Sequence, residues 1–263
     1  MTLLITNRDL HASLTGRGSH ATLNRLLRPL IIILTLAITL PAAADDFAKA
    51  KLAFDFGQYK TAVLLLRPLA EKGDPRPQHL LAECYFRKHG VSVGFKEALN
   101  WLERAVARRY LPAYSRLGME LLKLNRGRHE RGLRLIRTAS ARGDPAAQVT
   151  FGNLYFRGIG GVPLDLERSK ELFLKAAGHK HMGGIYFLII WYGSNEGKKS
   201  DSVEMLRWVI IGTRIGSRIR THLDIGEAMM FFRQMALKKL TKSQIAEAER
   251  RASVWLMAHG ENP

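Results

Sequence analysis

A pattern of small and bulky residues recurs at a nearly constant spacing along this chain of 263 residues. Each copy begins with a residue that is small in four of the five copies. An apolar residue follows three positions later, and a small or apolar residue follows seven positions later. The first members are 36, 34, 37 and 36 positions apart. A fixed period of about 20 to 50 residues is typical of repeat proteins, whose units bury their apolar faces against their neighbours. The copies are Ala62/Leu65/Leu69, Ala98/Trp101/Ala105, Gly132/Leu135/Ala139, Ser169/Leu172/Ala176 and Met205/Trp208/Gly212.

The first 44 residues have the features of a secretory signal peptide. Four arginines lead into an apolar run over residues 30–40, which is followed by Pro41 and three alanines. The run is much shorter than the roughly 20 residues that a membrane span needs, and Ala42 and Ala44 suit signal peptidase. We therefore predict a signal peptide over residues 1–44, cleavage near Ala44 and a periplasmic or secreted protein. An uncleaved anchor is the alternative.

The charge balance is strongly basic, with a net charge of +18. Removal of residues 1–44 leaves 37 basic and 22 acidic residues, a net charge of +15. This balance favours anionic partners, such as an acidic protein surface or segment, an anionic polysaccharide or a membrane surface. The predicted export argues against nucleic acid as a partner. The charges are scattered through helical segments, so a solvated helix surface is the alternative explanation.

The clearest repeat unit runs over residues 146–180. Apolar residues at helical spacing are followed by a glycine-rich turn at 158–161 and by Asp165 near the start of the next helix. This order predicts a helix-turn-helix hairpin. The single cysteine, Cys84, falls 70 positions before Leu154 in a matching context, which predicts a buried core thiol.

These residues resemble the Sel-one-like repeat family, a relative of the tetratricopeptide repeats. Residues 143–155 align without a gap on residues 73–85, and the resemblance is strong over about residues 73–180. It implies a right-handed, all-α solenoid of about five helix-turn-helix repeats at 45–216 and protein–protein interaction as the function. The family pattern is matched by Ala147, Phe151-Gly152, Tyr155, Gly158, Gly160-Gly161-Val162, Asp165 and Ala176-Ala177.

The remaining segment, residues 217–263, is predicted to form a C-terminal helical cap. A helix over about 223–240 precedes Thr241 and Gln244, which have the spacing of a capping box, and a last helix follows. Terminal units of a solenoid are usually atypical because their outer face meets water.

No pattern in the chain predicts an active site, a metal site or a cofactor. His179 and His181 are two positions apart, which places them on different faces of a helix, and we expect solvated imidazoles in a turn between repeats. Paired carboxylates, a nucleophile elbow and a zinc motif are all missing from the sequence, so we expect no enzymatic activity.

One set of residues forms a candidate partner-binding surface. In tetratricopeptide-like solenoids the first helix of each hairpin lines the concave face, so equivalent positions form rows across the repeats. Two rows, one basic and one apolar, suit an acidic, partly apolar helix or tail. The alternative is exposed cations beside core aromatics. The basic row is Arg87, Lys123 and Arg157, the apolar row is Phe86, Leu122 and Phe156, and Glu83 and Asn153 are expected beside them.

The sequence thus predicts a non-catalytic, exported adaptor or regulatory protein that binds a protein partner through the concave face. The alternative function is binding of an anionic envelope polymer or lipid headgroups through the basic surface. A hydrolase with a site at the mouth of the solenoid is disfavoured, because the catalytic constellations are missing.

Overall fold

The computed structural model describes residues 42–87, 94–124, 126–193, 201–217 and 225–261. These residues form twelve α-helices and no β-strand. Most of the predicted leader, residues 1–41, lies outside the described residues, so its cleavage stays a prediction. The helices are α1 (Ala42–Asp55), α2 (Tyr59–Glu71), α3 (Pro75–Arg87), α4 (Phe95–Ala107), α5 (Leu111–Leu124), α6 (Arg126–Ala141), α7 (Pro145–Arg157), α8 (Leu166–Gly178), α9 (Met182–Gly193), α10 (Ser202–Gly216), α11 (Ile225–Leu237) and α12 (Lys242–Ala258).

Two units divide the chain, residues 1–46 and residues 47–263, and the second carries the repeats. In it each helix from α2 to α10 packs on the next helix of the chain, and α5, α7 and α9 also contact one another in series. Contacts between successive hairpins and between their first helices are the packing of a helical solenoid. The predicted all-α solenoid of helical hairpins is therefore confirmed. The predicted boundary at residue 217 stays a prediction.

The recurring triplets lie on the second helices of the hairpins, α2, α4, α6, α8 and α10. Their first and third members are buried in every repeat. The middle member is buried where it is Trp101 or Trp208 and only partly buried where it is a leucine. The larger indole reaches further into the space between hairpins. Because the first and third members are buried in every repeat, the pattern correctly predicts the buried face of each second helix.

Two glycines allow α5 and α6 to approach closely. A Cβ on Gly118 would lie 2.6 Å from Cγ1 of Ile136 and 2.8 Å from the carbonyl oxygen of Gly132. Gly152 in α7 has the same role against Phe173 of α8, whose Cε1 would be 2.6 Å from a Cβ. The small residue of α5 and that of α7 therefore mark where the second helix crosses the first.

The predicted turn and helix starts in the clearest repeat are also confirmed. Gly158 ends α7 in the left-handed conformation with φ of 61°, which suits glycine because a Cβ is disfavoured there. Asp165 caps α8 by accepting a hydrogen bond from the backbone N–H of Arg168 at 2.9 Å. In the third hairpin the second helix already begins at Arg126, two residues after the first helix ends at Leu124.

The last two helices pack on α10, as expected for a cap. The helix predicted over 223–240 spans Ile225–Leu237, and Thr241 and Gln244 form the predicted capping box of α12. Trp255 of α12 contacts Trp208 of α10 with ring centroids 5.7 Å apart. Among the described helices, none combines the length and the apolarity that a membrane span requires.

Cys84 lies in the core of the first three hairpins, where no solvent reaches it. Burial raises the pKa of its thiol to about 12, since the thiolate would lose its hydration. The prediction of a core thiol is confirmed.

Candidate functional site

The first helices of successive hairpins share one partly exposed stripe. On α3 it runs through residues 76, 79, 80, 83, 86 and 87, and on α7 through residues 146, 149, 150, 153, 156 and 157. The spacing of three and four residues keeps the stripe on one side of each helix. The equivalent stripes of α5 and α9 have the same phase. We call this surface the first-helix face.

The basic row lies on this face at the ends of three first helices. Arg87, Lys123 and Arg157 each occupy the last turn of their helix, and all three are exposed. Arg87 lies over the rings of Phe54 and Tyr59, with Cζ 5.5 and 5.9 Å from the two centroids. Cations in the last turn also interact favourably with the helix dipole. The predicted positions are therefore equivalent in space, and partner binding stays a prediction.

The apolar row is only half-buried and belongs in part to the core. Phe86 packs edge-on against Phe95 of the paired second helix, with centroids 5.5 Å apart. Phe156 contacts Phe173 with centroids 6.4 Å apart, and Leu122 packs on the cluster around Phe151 and Tyr155. Each residue of the row thus presents one side to the core and the other to the first-helix face.

An ion-pair network that the sequence analysis missed lies between α3 and α5. Nε of Arg116 is 3.1 Å from Oε1 of Glu83, and its Nη2 is 3.2 Å from Oε1 of Glu120. Lys123 binds the same oxygen of Glu120 at 3.0 Å. Glu120 is buried at the position that Cys84 and Leu154 occupy in the flanking repeats. A carboxylate at an apolar core position was the sequence signal that could have revealed the network.

Burial changes the titration of Glu83 and of His79, whose Nε2 lies 3.9 Å from Oε1 of Glu83. It raises the pKa of the Glu83 carboxyl, and Arg116 opposes the rise. Burial and the charge of Arg116 together lower the pKa of His79 to about 4. His79 is therefore uncharged at neutral pH. Asn153, the equivalent of Glu83 in α7, is half-buried on the same face.

The C-terminal end of the first-helix face is aromatic. Ring contacts run without a break from Phe156 to the buried Phe173 and through α9 to α11, with centroid separations between 4.9 and 6.4 Å. Two of these rings are solvent-exposed, Tyr186 at 38% and Phe231 at 64%, and Met230, the residue before Phe231, is 60% exposed. We call Tyr186, Met230, Phe231 and Phe232 the aromatic patch. No sequence pattern marks the patch, because α11 lies outside the repeat pattern.

The two histidines between the fourth and fifth hairpins differ from each other. His179 is exposed as expected, but the prediction of a solvated imidazole is wrong for His181. Nδ1 of His181 is buried without a hydrogen-bond partner, and burial lowers the pKa of the ring. Within the described ranges, no three His, Cys, Asp or Glu side chains are grouped as metal ligands.

The stacked hairpins, the shared first-helix face and the capping helices define a tetratricopeptide-like α-solenoid. Within it, residues 78–110 and 145–181 match the Sel1 repeat family. The chain therefore contains Sel1-like repeats (SLR) in these two segments, as its sequence features suggested. A search of curated proteins gave no match.

Solved structures with the same fold have low sequence identity. A protective antigen of uropathogenic Escherichia coli with an SLR fold superposes with a TM-score of 0.64 at 23% identity, over 82% of this chain and 46% of that one. This chain therefore spans about half the length of that antigen. A Sel1 repeat protein of Oxalobacter formigenes gives a TM-score of 0.52 at 17% identity, over 81% of this chain and 98% of that one. An immunity protein of Pseudomonas aeruginosa gives 0.52 at 16% identity, over 81% and 83%.

Proposed function

We propose that this protein is a non-catalytic adaptor or regulator that binds an acidic segment of a protein partner through its first-helix face. The observation that carries the proposal is the basic row, in which three exposed cations occupy one equivalent position on three successive first helices. Sel1 repeats generally serve as protein-binding scaffolds, which supports the class of function.

The chemistry of the face favours a partner with carboxylates. Guanidinium and ammonium groups form charge-assisted hydrogen bonds to carboxylates, and these are roughly twice as strong as neutral hydrogen bonds. Arg116 is already held by Glu83 and Glu120, so it fixes the shape of the face. The basic row lies at the exposed edge, where its charges can steer an acidic segment into place.

Export to the cell envelope is the second part of the proposal. It is supported by the basic stretch, the short apolar run and the alanines before Asp45. N-terminal sequencing of the protein purified from the envelope should begin at Asp45. A membrane-embedded species that retains Met1 would contradict this part.

Binding of an anionic polysaccharide or of lipid headgroups is the competing function, because of the net charge of +15 after removal of residues 1–44. Such binding depends on total charge and is screened by salt wherever the charges lie. A face-specific interaction depends on which charges are removed. The two functions can therefore be separated at constant net charge.

The experiment compares two triple variants that change the net charge equally. The test variant replaces Arg87, Lys123 and Arg157 by Glu. The control variant replaces Lys60, Arg137 and Lys175 by Glu, which are exposed on the second helices α2, α6 and α8. Affinity capture from intact envelope with the wild-type protein first identifies the enriched proteins, and each variant is then measured against the purified candidate.

We expect the test variant to lose binding to this partner and the control variant to keep it. The control variant should melt like the wild type, because exposed charges contribute little to the free energy of unfolding. The test variant loses the ion pair between Lys123 and Glu120, so its melting is measured before its binding is compared. Equal losses would instead favour the polymer or lipid, and unchanged binding in both variants would exclude electrostatic recognition by the basic row.

A further inference from the structure

The aromatic patch is exposed although its neighbours are well packed. Met229 and Ala236 of α11 are buried against the solenoid, whereas Met230 and Phe231 point into solvent with more than half of their surface exposed. Phe232 contacts Tyr186 on the exposed stripe of α9, with ring centroids 6.1 Å apart. Large exposed aromatic side chains that lie together mark interaction sites, because they gain hydrophobic free energy when covered.

The patch and the basic row belong to neighbouring first helices. The helix α7, which carries Arg157, contacts α9, which carries Tyr186. The first-helix face therefore changes character along the solenoid. It is charged on α3 and α5 and apolar on α9, where Tyr186, Phe187 and Ile190 form the exposed stripe.

Two other occupants fit this surface less well than a peptide does. A second copy of the chain would bring basic rows near each other at a net charge of at least +15, and like charges oppose close contact. A uniformly anionic membrane gains less from this face, because Arg116 and Lys123 are already paired with Glu83 and Glu120. A peptide can present carboxylates to the basic row and, at other positions of the same segment, apolar side chains to the aromatic patch.

We propose that the aromatic patch binds apolar side chains of the same partner segment whose carboxylates bind the basic row. The recognised segment then has an acidic stretch followed or preceded by aromatic or leucine side chains. This inference rests on the proposed function, and it adds the apolar half of the recognised segment. Aromatic anchors in such sites carry much of the binding free energy, while the surrounding charges fix orientation.

The experiment selects binders from a random 16-residue peptide library displayed on phage, with the purified chain from residue 45 onward as the target. The patch variant carries Met230→Ser and Phe231→Ser. The control variant carries Val254→Ser and Met257→Ser, which are similarly exposed on α12. The triple Glu variant of the basic row is the third target. Circular dichroism melting checks that all targets are folded.

On the wild type we expect enriched peptides that contain both an acidic and an apolar stretch. Their affinity should fall about tenfold or more on the patch variant, stay unchanged on the control variant and be lost on the basic-row variant. Acidic peptides without an apolar stretch, bound equally by the patch variant, would overturn this inference and leave the proposed function intact. Enriched peptides that ignore both surfaces, or no enrichment at all, would overturn both.

Two further measurements address the other occupants. Sedimentation of the wild type and the patch variant should show the same oligomeric state. A dimer that the patch variant converts to a monomer would identify the patch as a self-interface and overturn the proposal. Vesicles of phosphatidylglycerol should bind both proteins equally. A loss confined to the patch variant would identify a membrane-binding surface instead.

Discussion

Single glycines determine how closely the helices of a hairpin approach. Gly118 faces the backbone of Gly132, so the crossing of α5 and α6 has no space for a methyl group on either helix. Gly152 instead faces the ring of Phe173, which is itself fixed by stacking on Phe187 with centroids 4.9 Å apart. A glycine at the equivalent position of the first helix thus accommodates a backbone in one hairpin and an aromatic ring in the next.

Replacement of Gly118 by Ala should lower the free energy of unfolding by about 1 to 3 kcal/mol, because the added Cβ overlaps backbone atoms that cannot move independently. Gly178→Ala is the matched control, since a Cβ there meets no atom within 4 Å. In the control the higher helix propensity of alanine should leave stability unchanged or raise it by up to about 1 kcal/mol. Urea denaturation of both variants measures the difference, and equal midpoints would contradict the close crossing.

His79 should make stability depend on pH. Its folded pKa of about 4 lies below the unfolded value near 6.5, so between these values the unfolded chain binds more protons. The contribution of uncharged His79 to the free energy of unfolding is then fully present above about pH 6.5. It is lost as the pH falls toward 4, and the loss is about 3 kcal/mol. Glu83, with a raised pKa, acts in the opposite direction when it takes up a proton.

The measurement is urea denaturation at a series of pH values. The variant His79→Gln should lose less stability than the wild type between pH 6.5 and 4, because glutamine does not titrate. Arg116, Asp144 and Tyr110 stay in place around the substituted side chain. Parallel curves for the two proteins would show that His79 is not the group responsible.

At the scale of whole helices, Asp144 connects two hairpins. Its buried carboxylate accepts hydrogen bonds from the backbone N–H of Ala147 at 2.7 Å and from the hydroxyl of Ser115 on α5. It therefore caps α7 and fixes that helix to the preceding first helix. Asp74, its counterpart before α3, is instead paired with Arg76 in an exposed setting.

Asp144→Ala should cost more stability than Asp165→Ala, although both residues cap a helix. Loss of a cap costs about 1 kcal/mol, which is the expected effect at Asp165. At Asp144 the buried hydroxyl of Ser115 also loses its partner, which adds about 1 to 3 kcal/mol. Thermal melts followed by circular dichroism compare the two variants. A cost at Asp165 equal to that at Asp144 would argue against the link between hairpins.

At the scale of the whole molecule, the cap closes the core of the last hairpin. Trp208 is fully buried and contacts Trp255, and Gly212 lies against Met229 of α11. Lys180, between the fourth and fifth hairpins, also binds Glu261 after α12 at 2.7 Å. Because solenoid stability is a sum of neighbour interfaces, the cap stabilises the fifth hairpin first.

A chain that ends at residue 217 should expose Trp208 and melt at a lower temperature, while the first hairpins stay helical. Tryptophan fluorescence should shift to longer wavelength before heating, and circular dichroism should retain most of the helical signal. Met257→Ser, on the exposed side of α12, is the control and should melt like the wild type. Unchanged fluorescence in the truncated chain would contradict the role of the cap.

Most of the fold could be predicted from local patterns in the sequence. The triplets at Ala98 and Ser169, the turn at Gly158 and the caps at Asp165 and Thr241 each depend on residues within one or two helical turns. Such patterns predict helices, their buried faces and their ends, because helical geometry alone determines which neighbours share a face. The positions of the basic row followed from the same register.

The tertiary structure alone decided which distant side chains meet. Arg116 reaches Glu83 of the preceding hairpin, and Phe232 reaches Tyr186 across 46 positions of the chain. It also placed Nδ1 of the half-buried His181 out of reach of solvent, where the sequence indicated a solvated imidazole. These contacts depend on the crossing angle and rotation of helices that pack from different hairpins. The periodicity within one helix carries no information on those angles, so the ion-pair partners of Glu120 and the aromatic patch emerged only with the packed solenoid.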